Sequence, residues 1–308
     1  MNKYNLKYPS IDTLIISGGG TRGVYFLGAL SYYDEKKLLD NINTFIGTSI
    51  GSMICLLLVI GYKIKEIVDF FDPFNFSKLL IQADIDKLLS NYGFDDCDRV
   101  MFVTKMLLQQ KNIDENITFL ELKNLTSKTL ILTATCLTYD CVKYFDWKTE
   151  PSMSVLLAFK MSICVPIVYQ PIIYNDAMYV DGGLLDNYPI QLAKNNLDHT
   201  LGLVIIDRDL DSKIEITDFL SYLYNTINCA VFSKMNSRIK KYEKYTIVIN
   251  THAGTSINVI NFDISIEEKQ KMKQLGIEAA SKYYANRINE LTNDFENIIS
   301  IYDNLLIS

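Results

Sequence analysis

Short runs of β-branched and aromatic residues alternate along the first two hundred positions with stretches whose apolar residues recur every three to four places. This is the pattern of strands and helices in an α/β sheet. Thr13 to Ser17 reads as a strand, Val24 to about Leu39 as a helix, Asn43 to Ile46 as a strand and Ser52 to Ile60 as a buried helix. Lys63 to Phe71 is helical and is broken by Pro73. A short helix capped by Asp84 is expected within 74–89, and Asp95-Asp96-Cys97-Asp98 opens another that runs from Val100 to Leu108. Thr118 and Glu121 have capping-box spacing. Thr129 to Thr138 is a strong β run, paired as a hairpin with Cys141 to Phe145. Ser152 to Cys164 is helical. Strands are expected at 177–181, 201–206 and 245–250, and helices at 221–242 and 266–288, with the C-terminus helical too. No Gly/Ser/Pro-rich linker divides the chain, so one domain over 1–308 is expected, with a core at about 12–210 and a helical part at about 211–308 packed on it.

Composition narrows the function classes. The chain of 308 residues carries 30 Lys and Arg against 36 Asp and Glu, a net charge of −6. That balance argues against nonspecific nucleic-acid binding. The longest apolar run, Met53 to Ile60, is far short of the roughly 20 residues of a membrane span. The first residues lack the apolar segment of a secretory signal, so a cytoplasmic location is expected. The six cysteines show no C-x-x-C pairing and read as reduced core thiols. No metal is expected, because His199 and His252 have no Cys or His neighbour at ligand spacing. No cofactor is expected either.

Three glycine-rich segments carry the chemistry. Gly47-Thr48-Ser49-Ile50-Gly51 stands between a strand and a helix, a sharp turn that displays Ser49 as a nucleophile while Gly47 and Gly51 make room. Gly18-Gly19-Gly20-Thr21-Arg22-Gly23 follows the first strand, and consecutive glycines let backbone N–H groups converge on an anion. Asp181-Gly182-Gly183 ends a strand, where a carboxylate within about 2.6–3.2 Å of Ser49 Oγ is able to take its proton. Phe70, Phe71, Phe74 and Phe76 are core residues or the lining of an acyl-chain tunnel.

These segments, in this order, together with the block Ser162 to Pro166, resemble the patatin-like phospholipase family. The resemblance implies a three-layer α/β/α fold with a mostly parallel central sheet. It also implies a lipid acyl hydrolase of phospholipase A type acting through a Ser49–Asp181 dyad and an acyl-enzyme. Gly18, Gly19, Gly20, Arg22 and Gly23 would form the oxyanion hole, with Arg22 holding the loop or attracting a lipid phosphate. Gly47, Gly51, Gly182 and Gly183 would support the motifs. The expected partner is a phospholipid or another acyl lipid, met by peripheral contact with a membrane.

Three other readings compete. A Ser-His-Asp triad with His199 or His252 is allowed by chain order, but the N-terminal stretch is too short to build the sheet that normally precedes such an elbow. A non-catalytic lipid-binding protein would share the fold. A dinucleotide site at Gly18, Gly20 and Gly23 lacks an acidic residue at the end of the next strand.

Overall fold

The computed structural model describes residues 8–79, 85–207, 216, 219–251 and 263–307. The strands are β1 (Thr13–Ile16), β2 (Thr44–Thr48), β3 (Gly93–Asp95), β4 (Thr129–Cys136), β5 (Cys141–Phe145), β6 (Ile167–Tyr169), β7 (Ile172–Tyr174), β8 (Ala177–Asp181), β9 (Thr200–Asp207) and β10 (Thr246–Thr251). The helices are α1 (Gly23–Glu35), α2 (Ile50–Val59), α3 (Ile64–Phe71), α4 (Ile85–Asn91), α5 (Asp98–Gln110), α6 (Phe119–Thr126), α7 (Val155–Ile163), the single turn α8 (Gly183–Asp186), α9 (Phe219–Lys241) and α10 (Ile266–Ile307).

One sheet runs β10-β9-β1-β2-β4-β8-β7, with β5 also paired to β4. The five strands from β10 to β4 are parallel, while β5, β7 and β8 are antiparallel to their neighbours. Alternate residues of the central strands enter different cores. Leu14, Ile16, Leu203 and Ile205 join the large cluster formed with α1, α2 and α7, whereas Ile15, Ile46, Val204 and Ile206 meet Met235 and Ile239 of α9. Both faces are therefore covered, which is why these strands read as continuous apolar runs. The fold is the expected α/β/α arrangement around a mostly parallel sheet.

Two long-range contacts fix the outer helices. Gly28 of α1 and Gly276 of α10 face each other's helix so closely that a Cβ on Gly28 would lie 2.1 Å from the Lys273 carbonyl oxygen. One on Gly276 would lie 2.1 Å from that of Tyr25. On the other face, Arg238 of α9 pairs with the buried Asp186, which also accepts from Tyr144 Oη and Gln191 Nε2, each at 2.5 Å.

Some sequence expectations shift. Asp95 closes β3, which pairs with β6 in a small second sheet that the sequence did not announce, and the helix begins only at Asp98. Helix α1 stops at Glu35, and β4 stops at Cys136. The cap expected at Asp84 lies outside the described residues. All six cysteines are free thiols, but Cys229 is exposed on α9 and Cys141 is half-buried, so these two are not core residues. Among the described residues no helix is long and apolar enough to cross a membrane.

Candidate active site

Ser49 is the hinge between β2 and α2, with φ 54° and ψ −124°. A non-glycine residue held there stores roughly 1–3 kcal/mol of strain. The surroundings hold it in place. The Ser49 N–H donates to Ser162 Oγ at 3.1 Å, and Ser162 Oγ shares a 2.7 Å hydrogen bond with Ser52 Oγ. The Ser49 carbonyl accepts the Ser52 N–H at 2.8 Å. Gly47 and Gly51 are required by close approach. A Cβ on Gly47 would lie 2.6 Å from the Gly51 carbonyl, and one on Gly51 would lie 2.3 Å from Ile16 O. Sequence reasoning placed Ser162 in a motif without giving it a task. The available signal was a buried hydroxyl on a mostly apolar helix.

Asp181 ends β8 opposite Ala134 of β4, and its N–H donates to Cys164 O at 2.9 Å. Its Oδ1 accepts the Gly183 N–H at 2.6 Å. Its Oδ2 is buried and accepts no hydrogen bond within 3.5 Å among the described residues. The Ser49 hydroxyl is the side-chain neighbour that acts on the charge of this carboxyl. Burial pushes the Asp181 pKa up to about 6, against the opposing pull of the Ser49 hydroxyl and the Gly183 amide. A carboxyl so tuned is ionised at neutral pH and is more basic than a solvated one. Gly182 packs where a Cβ would lie 2.4 Å from Thr133 O, and the Gly183 amide is the donor that holds Asp181.

The glycine loop uses some of its amides in internal hydrogen bonds. Gly18 N–H donates to Asn187 O at 3.1 Å, Arg22 N–H to Gly19 O at 3.2 Å, and Gly23 N–H to Gly20 O. The sequence reading gave the Gly18 amide to an oxyanion, but it is already occupied. The amides of Gly19 and Gly20 have no acceptor among the described residues, and Gly20 takes the positive φ of 57° that turns the loop. Arg22 is buried, and its Nε points back to Gly19 O at 3.4 Å, so its guanidinium braces the loop from inside. Gly23 lets α1 begin against α2, since a Cβ there would lie 2.4 Å from Ile50 Cγ1. Asn187 joins the two halves of the site. It accepts from Gly18 through its carbonyl, and its Nδ2 donates to Gly18 O at 3.4 Å.

Two cavities meet at Ser49. One is lined by apolar side chains that include Met53, Phe71, Phe74, Val103 and Phe159. Among the described residues no charged side chain lines it. The phenylalanines are thus both core and cavity wall, since Phe71 and Phe76 are buried and also line it. The other cavity touches Arg22, Asp181 and Asn187, with Ile227 and Val231 of α9 at its rim. His199 is remote from both, with Nδ1 on Ser10 O at 2.8 Å, and His252 lies outside the described residues. Among the described residues no cluster of His, Cys, Asp or Glu is suited to a metal.

Comparisons with known proteins give the chain's relatives. The chain is 38% identical over 195 residues to a probable lipid hydrolase, 463L, of Invertebrate iridescent virus 6, a match covering 62% of this chain and 66% of that protein. It is 28% identical over 300 residues to the uncharacterized protein R571 of Acanthamoeba polyphaga mimivirus, covering 91% of this chain and 95% of that one. The structure of VipD from Legionella pneumophila superposes with a TM-score of 0.62 at 17% identity, over 91% of this chain and 67% of that one. ExoU of Pseudomonas aeruginosa superposes at 0.54 and 15% identity, over 92% of this chain but 54% of that chain. These two likenesses are of fold. The patatin-like phospholipase profile matches residues 14–194, which hold the elbow, the glycine loop and Asp181, and the chain belongs to that family of lipid hydrolases.

Proposed function

We propose that the protein is a lipid acyl hydrolase of phospholipase A type in which Ser49 is the nucleophile and Asp181 its general base. Ser49 Oγ attacks the ester carbonyl carbon as its proton passes to Asp181 Oδ2. The carbonyl oxygen becomes an oxyanion held by the Gly19 and Gly20 amides, where each donor contributes a few kcal/mol, roughly 3–4 in measured cases. Collapse of the intermediate breaks the ester bond, and the departing alcohol takes the proton from Asp181. Water then gives a proton to Asp181 as it attacks the acyl-enzyme, and fatty acid leaves as Ser49 recovers its hydrogen.

What supports this reading is the meeting of a strained serine and a buried carboxyl between two free amides and an apolar cavity. The same reading has Arg22 brace the loop, with a lipid phosphate within its reach. It takes the substrate as a phospholipid or another acyl lipid met at a membrane surface, and the location as a reducing, cytosol-like compartment. Incubation with a mixed lipid extract, followed by mass spectrometry, should show fatty acid release that Ser49→Ala abolishes. A fluorophosphonate probe should label wild type and not Ser49→Ala. Release that survives in Ser49→Ala sinks the mechanism, and an unlabelled wild type favours a lipid-binding protein on the same fold.

A further inference from the structure

Lys269 stands in the first turn of α10, where a cation is disfavoured by the helix dipole, yet it is 2% exposed. Its ammonium has three protons and three acceptors: the carbonyl oxygens of Phe71 and Asp72, each at 3.0 Å, and that of Phe74. It also lies 4.9 Å from the centre of the Phe76 ring. One turn further, Lys273 pairs with the Asp72 carboxylate. Two lysines of α10 thus grip the turn that leaves α3.

That turn carries a closed set of four rings. Phe70 meets Phe71 at 5.5 Å and Phe74 at 5.2 Å, while Phe76 meets Phe71 at 5.8 Å and Phe74 at 5.4 Å. All four line the apolar cavity that opens at Ser49. Among the described residues Lys269 is the donor to these three carbonyls, and without it the turn would have to reorganise to reach water. α10 lies outside the residues 14–194 matched by the family profile.

We propose that Lys269 is a positioning residue that sets acyl-chain selectivity: by holding the 71–74 turn it keeps the four-phenylalanine wall in place, and the walled cavity selects long acyl chains over acetyl. The assignment rests on the hydrolase reading for its substrate but not for its binding test. Each methylene buried in such a cavity adds roughly fourfold to affinity, which an acetyl group cannot gain.

Two measurements test it. The first is binding of the fluorescent polyene cis-parinaric acid to Ser49→Ala, which needs no turnover. The second is kcat/KM for p-nitrophenyl esters from acetate to palmitate, which share a leaving group. Lys269→Met should weaken parinarate binding at least tenfold. It should lower kcat/KM at least tenfold for palmitate, mainly through KM, and leave acetate within twofold. Should Lys269→Met fail to fold, Val103→Trp, which fills the same cavity from α5, should lose parinarate binding and lower the palmitate-to-acetate ratio. An unchanged ratio, an equal loss on both esters, or parinarate binding that Val103→Trp leaves intact overturns the assignment. If no ester is cleaved but parinarate binding depends on Lys269, the hydrolase reading fails and the Lys269 assignment stands.

Discussion

The backbone N–H of Ser49 ends on the Ser162 hydroxyl, 113 residues away in sequence and 3.1 Å away in space. Removing that hydroxyl leaves a buried donor without its acceptor, at a cost of about 1–3 kcal/mol. Ser162→Ala should lower the unfolding free energy by that amount. It should also reduce kcat more than it changes KM, because the apex that presents Ser49 is loosened. Denaturant unfolding and steady-state hydrolysis would show both effects, and unchanged values would remove Ser162 from the site.

Strain at the elbow should appear when the nucleophile is exchanged. Ser49→Gly and Ser49→Ala are both expected to be inactive, but glycine accepts φ 54° without penalty and alanine does not. The glycine variant should therefore be more stable than the alanine variant by about 1 kcal/mol. Equal thermal midpoints would mean that the strain is not there.

Asp181 gives a pH dependence of known sign. The base works ionised, so kcat/KM should rise through about pH 6 and level off above it. Asp181→Asn should lose roughly 10²–10⁴-fold in rate. A profile with no inflection near that pH would point to another base.

The same group acts on stability in the opposite direction. Its folded pKa, about 6, lies above the 3.8 of an aspartate in the solvated, unfolded chain. The protein therefore favours the neutral form, and this contribution is fully present below 3.8 and is lost as pH rises through 6. The loss is about 3 kcal/mol, from roughly two pKa units at 1.36 kcal/mol each. Asp181→Asn should consequently be more stable than wild type at pH 8, with the advantage shrinking toward pH 4. Urea melts at the two pH values would test this.

Where α1 crosses α10, backbone stands where a side chain would go. Gly28→Ala puts a methyl group 2.1 Å from a carbonyl oxygen of the opposite helix, and this oxygen cannot swing away as a side-chain tip does. Loss of about 1–3 kcal/mol is expected, read as a lower thermal midpoint with Ser49 labelling retained. A neutral substitution would mean that the helices separate easily.

Much of this was legible in the sequence where the signal was local. The apolar runs gave β1, β2, β4, β8 and β9, and glycine spacing marked the elbow, the loop and the turn after Asp181. Capping-box spacing at Thr118 and Glu121 was realised, with the Thr118 N–H on Glu121 Oε2 at 2.9 Å. What escaped depends on distant partners. The strands β3 and β6 are three residues each and exist only through each other. The use of the Gly18 amide by Asn187, the task of Ser162 and the carbonyl cradle around Lys269 all join segments far apart in the chain, so no sequence window contains them.

Ser49 and Asp181 hang from neighbouring points on one support. Ser162 takes the amide of the first, and the carbonyl of Cys164, two residues later, takes the amide of the second. A displacement of that helix end would act on the anchors of both side chains together. A change that lengthens the three-residue span from Ser162 to Cys164 would separate the two anchors.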